Sequence, residues 1–371
     1  MKKNILTLLF VSLCFFACRK EQEIPPLEID KPFTQGFYLL NEGNMGSNKA
    51  TLDYYDYEEN KYYPNIYAGI NPNVPKELGD VGNDLIIYGS KLYAVISCSN
   101  KIEVMDVRTA KRIGQINVTN CRNIACHDGY LYVTSYAGPV QTNPEYQQIG
   151  VVAKIDTTSL QVVNQCLVGY QPDGLAIANG KIYVANSGGY LFPNYEKRVS
   201  VIDIATFKEL KTISVAPNLH RVCADKYGNV WVSARGDYYN IPSKLYCIDA
   251  ITDLLTDSVP IAVSNFHLDD DNLYIISVVW DNTTMSNKVG YGIVDVVSKQ
   301  IISNRFITDG TDAEIKTPYG ITVNSTTKDI YITDARNYVS PGALYCFDKN
   351  GKQKWSVRTG DIPSHFAFVK L

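Results

Sequence analysis

Three of the four histidines, His220, His267 and His365, together with the carboxylate of Asp173, are the side chains with the greatest capacity for chemistry in this chain. Imidazoles beside a carboxylate could hold a metal ion or move a proton near neutral pH. They lie far apart in sequence and show no ligand spacing. The stronger expectation is that they are satisfied polar residues at a channel mouth. Seven aspartates, Asp56, Asp106, Asp156, Asp203, Asp249, Asp295 and Asp348, recur at one position of a repeat and could suggest an acidic ring. Aspartate after a short apolar run more often caps a turn by accepting from nearby backbone N–H groups, so these are expected to be structural. There is no nucleophile elbow, phosphate loop, HExxH helix or EF-hand loop, and no Cys or His pair has zinc-site spacing. Catalysis has no local support, and the chain is expected not to be an enzyme.

The elements that position these residues are short strands. The stretch 171–216 reads as four of them, strands a to d, separated by turns at Gly174 and Gly180 and by a polar, aromatic insert. Its Ile182-Tyr183-Val184 core recurs as Phe37-Tyr38-Leu39, Leu92-Tyr93-Ala94, Leu131-Tyr132-Val133, Val230-Trp231-Val232, Leu273-Tyr274-Ile275 and Ile330-Tyr331-Ile332. The mean period is about 49 residues, in the range of propeller blades. The fold class is therefore all-β, a seven-bladed β-propeller of four-stranded blades. Blade one begins with three strands only, GFYLLNEG, ATLDYYDYEEN and KYYPNIYAGI. The C-terminal strand, 363–369, is expected to join it as the missing innermost strand and close the ring.

Function is expected in what varies between blades. In a meander the b–c and d–a connections emerge on the same face, and the b–c inserts are long in blades three to seven. They carry Tyr136, Tyr146, Tyr190, Phe192, Tyr195, Tyr238, Tyr239, Trp280 and Tyr338. Rings in polar, Gly/Pro/Asn-rich loops are not needed for a blade core and suit a binding surface, although some are expected to pack on adjacent loops. Aligning the first apolar residue of each strand a places Asn83, Arg122, Asp173, His220, Phe266, Tyr319 and Ser364 in a ring around the channel mouth on that face. The next position inward holds Asp84, Asn123, Gly174, Arg221, His267, Gly320 and His365. So mixed a ring suits an asymmetric ligand. The candidate ligand-binding residues are Asn83, Arg122, Tyr136, Asp173, Tyr190, Phe192, His220, Tyr238, Tyr239, Phe266, Trp280, Tyr319 and Tyr338, with no metal and no cofactor expected.

Composition adds bounds. The chain has 371 residues, is 45% hydrophobic and 20% charged, and carries a formal net charge of -3, with no basic run to suggest nucleic acid. Residues 1–18 read as a secretion signal, with Lys2 and Lys3 before an apolar run too short to span a bilayer. Phe15-Phe16-Ala17-Cys18 resembles a bacterial lipobox, in which Cys18 is lipidated and becomes the N-terminus. Residues 19–35 are a charged, proline-bearing tether expected to be flexible, and 36–371 form the propeller, with no second domain. Seven cysteines remain after Cys18 and cannot all pair, leaving a Cys98–Cys121 disulfide open.

The blade PDGLAIANGKIYVANSGG with RVSVIDIAT resembles the YncE-type and surface-layer-type seven-bladed propellers. The opening GFYLLNEGNMGSNKATLDYYD, directly after a lipoprotein tether, resembles a family of Bacteroidetes surface lipoproteins that includes the cobalamin-capturing BtuG-type proteins; the likeness covers the whole of the mature domain. It implies an outer-membrane lipoprotein displayed on the cell surface and held to the membrane by its lipid alone. It further implies capture of cobalamin or related corrinoids, as ligand rather than cofactor, and transfer to a TonB-dependent outer-membrane transporter. A corrinoid is a flat, amide-fringed plate, and aromatic loops with Asn, Asp and Arg neighbours match such chemistry. Two other classes stay open: a scaffold or glycan-binding propeller, and a propeller lactonase or lyase.

Overall fold

In the computed structural model, residues 31–369 are described, except 76, 144 and 282. The signal segment, Cys18 and residues 19–30 of the tether lie outside them. Seven four-stranded antiparallel sheets are present, each paired in simple a-b-c-d order. Blade two, for example, is Gly82–Tyr88, Lys91–Ile96, Lys101–Asp106 and Arg112–Asn117. In blade one the innermost strand is Pro363–Val369, paired along Gly36–Asn41. The chain ends meet in one sheet, as the three-stranded opening required.

The core is divided radially. Seven apolar clusters fill the seven blade–blade interfaces, and the strand b triplets supply each of them from both sides. Alternation along strand b explains why: Phe37 and Leu39 face blade seven, while Tyr38 faces blade two. The repeated aromatic is the anchor thrown onto the next blade. Tyr38 donates to the Val107 carbonyl at 2.8 Å and Tyr183 to the Ala250 carbonyl at 3.2 Å, both just past the strand c aspartate of the following blade. Trp231 fills the same place in blade five and satisfies its indole N–H on Asp225 at 2.9 Å. One ring per blade thus stabilises by burial against its neighbour, and in blades one and four it also holds the neighbour's turn.

All seven strand c aspartates cap their turns. Asp106 Oδ1 accepts from the N–H groups of Arg108 and Thr109 at 3.0 and 2.9 Å; Asp56, Asp156 and Asp249 do the same, Asp203 and Asp295 accept from the N–H three residues on, and Asp348 from the N–H groups of Asn350 and Lys352. They form no acidic ring.

Two details differ from the sequence expectation, and a third answers a question it left open. Strand d of blade one is only Lys61–Tyr63; Pro64 ends it, Asn65 turns left-handed (φ 45°), and a one-turn helix Ile66–Ile70 follows. Its Ile66 and Tyr67 bury into the blade one–two cluster, so the second half of the run expected as a strand packs into the core as a helix. Packing also starts before Gly36, because Phe33 is buried against Tyr38 and Tyr54 and its N–H donates to Arg108 O at 2.6 Å. Finally, Cys98 and Cys121 are unpaired, and Cys121 instead points its thiol at the Lys101 carbonyl, 3.3 Å away.

Candidate functional site

The heads of the inner strands do not run in regular register. The ladder breaks between Gly82 and Asp84, Cys121 and Ile124, Pro172 and Leu175, Leu219 and Val222, and Pro318 and Ile321. A bulge of this kind leaves residues out of the strand alternation and re-aims their side chains. The released residues are Asn83, Arg122 and Asn123, Asp173 and Gly174, His220 and Arg221, and Tyr319 and Gly320, nine of the fourteen residues of the two predicted rings; blade six, with Phe266 and His267, keeps regular register. Freed backbone N–H groups find hydroxyls instead. Thr134 Oγ1 accepts from Asn123 N at 2.9 Å and donates to Asp173 O of the next blade at 2.7 Å. Thr333 repeats the arrangement between Gly320 and Pro363, at 2.7 and 2.6 Å. Gly174 and Gly320 belong to the ring for packing reasons: a Cβ at either would lie 2.5 Å from His220 O or 2.3 Å from Ser364 O.

Two polar groups form at the mouth. In the first, Arg122 donates to Asn83 Oδ1 at 2.9 Å and to Asp173 Oδ1 at 3.3 Å, with Arg235 3.8 Å from the other Asp173 oxygen. The Arg122 guanidinium lies over the Tyr136 ring at 4.8 Å, and Tyr136 meets Tyr190 edge-on. Burial alone would favour neutral Arg122, but Tyr136 and Asp173 outweigh it and push its pKa up. In the second group, Tyr319 donates to Glu42 at 3.0 Å and stands edge-on to Tyr338. His365 lies between Glu42 and Asp84, 3.5 Å from each and with its buried Nε2 in no hydrogen bond, and the other Asp84 oxygen accepts from Asn123 Nδ2 and Ile124 N. Burial, then Glu42, raises the Tyr319 pKa far above the usual phenol range. Between the groups sits His220, its Nδ1 shielded and without a partner. Burial first, then Arg235, Arg221 and Arg122, hold it well below 6.5, so it is neutral.

Beneath the mouth is a cavity of about 430 Å³ lined by Asp84, Asn123, Arg221, Cys223, Asn265, Phe266 and His267, among others. It opens where the inner strands of blades five and six pack least closely. Among the described residues no three His, Cys, Asp or Glu side chains are placed to hold a metal ion.

Around this well stand the loop rings. Phe192, Tyr195, Tyr238 and Tyr239 form one cluster across blades four and five, with centroids 6.0–6.3 Å apart. Phe192, Tyr238 and Tyr239 are 51%, 60% and 72% exposed, whereas Tyr195 is buried as their support. Tyr190 and Tyr338 are exposed at the rim; Tyr136 is buried under Arg122, and Tyr146 is half-buried. Trp280 is exposed, but on a strand: what read as a blade-six loop is a continuation of strands b and c, Asn272–Asp281 paired with Ser286–Asp295, which carries the ring outward. Sequence reasoning missed Glu42, Arg235 and Asn265. The first two directly follow strand b (Gly36–Asn41 and Asn229–Ala234), so aligning blades on strand b as well as strand a would have placed them at the mouth.

The class is thus a seven-bladed propeller whose one decorated face combines a polar well with an aromatic rim. Residues 35–368 match the family described as Domain of unknown function (DUF5074), and the chain belongs to it. No curated protein matches. Among solved structures, the chain is similar to a quinonprotein alcohol dehydrogenase-like protein from Bacteroides thetaiotaomicron (TM-score 0.62, 16% identity, covering 92% of this chain and 80% of that one). It is also similar to hydrazine synthase of Kuenenia stuttgartiensis (0.57, 16%, 72% and 77%) and to a chain of the mitotic checkpoint complex (0.55, 10%, 75% and 80%). At these identities the likeness is one of fold.

Proposed function

We propose that this protein is a surface lipoprotein, anchored through lipid on Cys18, that captures cobalamin or a related corrinoid on the loop face and passes it to a TonB-dependent outer-membrane transporter. The observation that supports the ligand class best is the set of exposed rings, Phe192, Tyr238, Tyr239, Trp280, Tyr190 and Tyr338, standing around a well of Asn, Asp and Arg side chains. Solvent-exposed rings of this number are costly to leave in water unless a ligand covers them. A flat macrocycle fringed with amides would lie on the rings and exchange hydrogen bonds with the polar residues. Binding and release suffice for the role, so no step of covalent chemistry is proposed.

Calorimetric titration of the domain from residue 31 onward with cyanocobalamin tests this. Saturable one-to-one heat is expected. No heat at tens of micromolar ligand would overturn the corrinoid reading and turn attention to glycans, which exposed aromatic platforms also suit. Replacing Cys18 with Ala should release the protein from the membrane fraction; retention would refute the anchor.

A further inference from the structure

Of the three arginines at the channel mouth, two share Asp173. The third does not: among the described residues Arg221 forms no ion pair, and its Nε is buried without an acceptor. Next to it, His220 Nδ1 is likewise shielded and unpartnered. Both residues lie in the register break at the head of the same inner strand, Leu219–Ala224, held by Arg221 N donating to Ser233 Oγ at 2.9 Å. Arg221 lines the cavity, and His220 precedes it in the strand, buried near Arg235 and Arg122. An unanswered guanidinium N–H in a shielded place costs free energy, and such exceptions in a native fold call for an explanation.

The nearby carboxylates do not supply one. Asp84 has both oxygens occupied, by Leu85 N and His365 on one side and by Asn123 and Ile124 on the other. Glu42 takes the Tyr319 hydroxyl and faces His365. Asp173 is engaged by Arg122 and Arg235. Three arginines and three carboxylates thus meet at the mouth, yet Arg221 is left without an ion-pair partner among the described residues, beside a cavity that a small group can enter.

We propose that Arg221 and His220 receive a single oxyanion, a carboxylate or phosphate group, that a ligand presents to the channel mouth. Arg221 would supply the charge and a forked pair of donors, and His220, as a neutral imidazole with its proton on Nδ1, a further hydrogen bond from the rim. The site does not depend on the ligand being a corrinoid.

The protein has four histidines, and His127 lies at the other end of an inner strand beside Asp128, a built-in control. Inorganic phosphate and acetate, titrated separately at constant ionic strength, should shift the His220 ring resonances saturably and leave His127 unmoved. Arg221→Gln should raise the half-saturating concentration at least tenfold, and Arg221→Lys by only a few-fold. Tighter binding of phosphate points to a phosphate ester as the natural group, tighter acetate to a carboxylate. Absence of a saturable His220 shift with both anions, equal movement of His127, or an unaltered midpoint in Arg221→Gln would overturn the proposal. Should Arg221→Gln not fold, the wild-type titration and Arg221→Lys still decide it. Cyanocobalamin plays no part in this test, so its outcome is separate from that of the corrinoid reading.

Discussion

At one rim of the disc the turns between strands c and d are nearly interchangeable. Asp56, Asp106, Asp156, Asp203, Asp249 and Asp295 each accept from the backbone N–H three residues on, and Asp348 caps its turn from the N–H groups of Asn350 and Lys352. At the opposite rim the b–c connections share neither length nor chemistry, from Cys98-Ser99-Asn100 in blade two to the outward continuation of strands Asn272–Asp281 and Ser286–Asp295 in blade six. Both rims are made by reversing the same kind of strand. What is repeated around the ring is what a blade needs to fold, and what departs from the repeat has been released from that need and is available for a ligand. The channel mouth mixes the two cases, since glycines there serve packing while Arg221 and His220 do not.

The largest expected effect falls on such a glycine. Gly174→Val would drive a side chain into His220 O and Val222 N, backbone atoms that cannot turn aside, and should destabilise by about 3 kcal/mol. A melting temperature unchanged by that substitution would mean the inner ring is looser than the contacts indicate. Next come the exposed rings. Tyr239→Ala and Trp280→Ala should each weaken cyanocobalamin binding by about 1–3 kcal/mol with the melting temperature held. The reverse pattern, a lower melting temperature with unchanged affinity, would make them packing residues and erase the contrast between the rims.

The pH dependence of stability probes the mouth itself. His220 has a folded pKa held below 6.5 by burial and by Arg235, Arg221 and Arg122, with His365 also facing it. Above pH 6.5 it is neutral in both states and carries no penalty. As pH falls below 6.5 the unfolded chain takes up a proton that the folded one refuses, so stability drops, by at most about 1.4 kcal/mol per pH unit. His220→Gln should flatten that part of the profile, as followed by denaturant unfolding between pH 7 and 5; an unchanged slope would show that His220 is not held neutral. The smallest effect belongs to the repeated rim. Asp249→Ala removes acceptors for Ile251 N and Thr252 N and should cost about 1 kcal/mol of stability. Ligand affinity should not move; if it did, the rims would not be independent.

The architecture was legible because a propeller repeats: the Tyr183-type triplet marked strand b in each blade, and the three-stranded start around Gly36–Asn41 required a strand from the other end. The helix Ile66–Ile70 was not legible, because an aromatic-rich run after Pro64 satisfies either period over so few residues. Alignment on the inner strands brought Asn83, Arg122, Asp173, His220, Phe266 and Tyr319 to one mouth, yet could not show which of them pair. That depends on the register breaks, where strand b of one blade holds the inner-strand head of the next, as Thr134 does Asp173, and no single blade encodes such a contact. The hairpin bearing Trp280 read as a loop because Asn, Thr and Ser dominate its tip, whereas cross-strand pairing extends the ladder to Asp281 and Ser286.

Because Pro363–Val369 is the innermost strand of the first blade, position in the ring and order of synthesis run in opposite senses at this one seam. Blades two to seven each become complete as their own segment leaves the ribosome or a secretion channel. The first to be made is the last to be finished. Until residue 369 is free, Gly36–Asn41 presents an unpaired edge, and the Phe37, Leu39 and Tyr331 cluster between blades seven and one lacks Phe366 and Phe368. A chain ending before Pro363 would therefore be an open arc rather than a slightly smaller disc, with His365 missing from its place between Glu42 and Asp84 at the mouth. Closure of the ring and completion of that side of the site are one event.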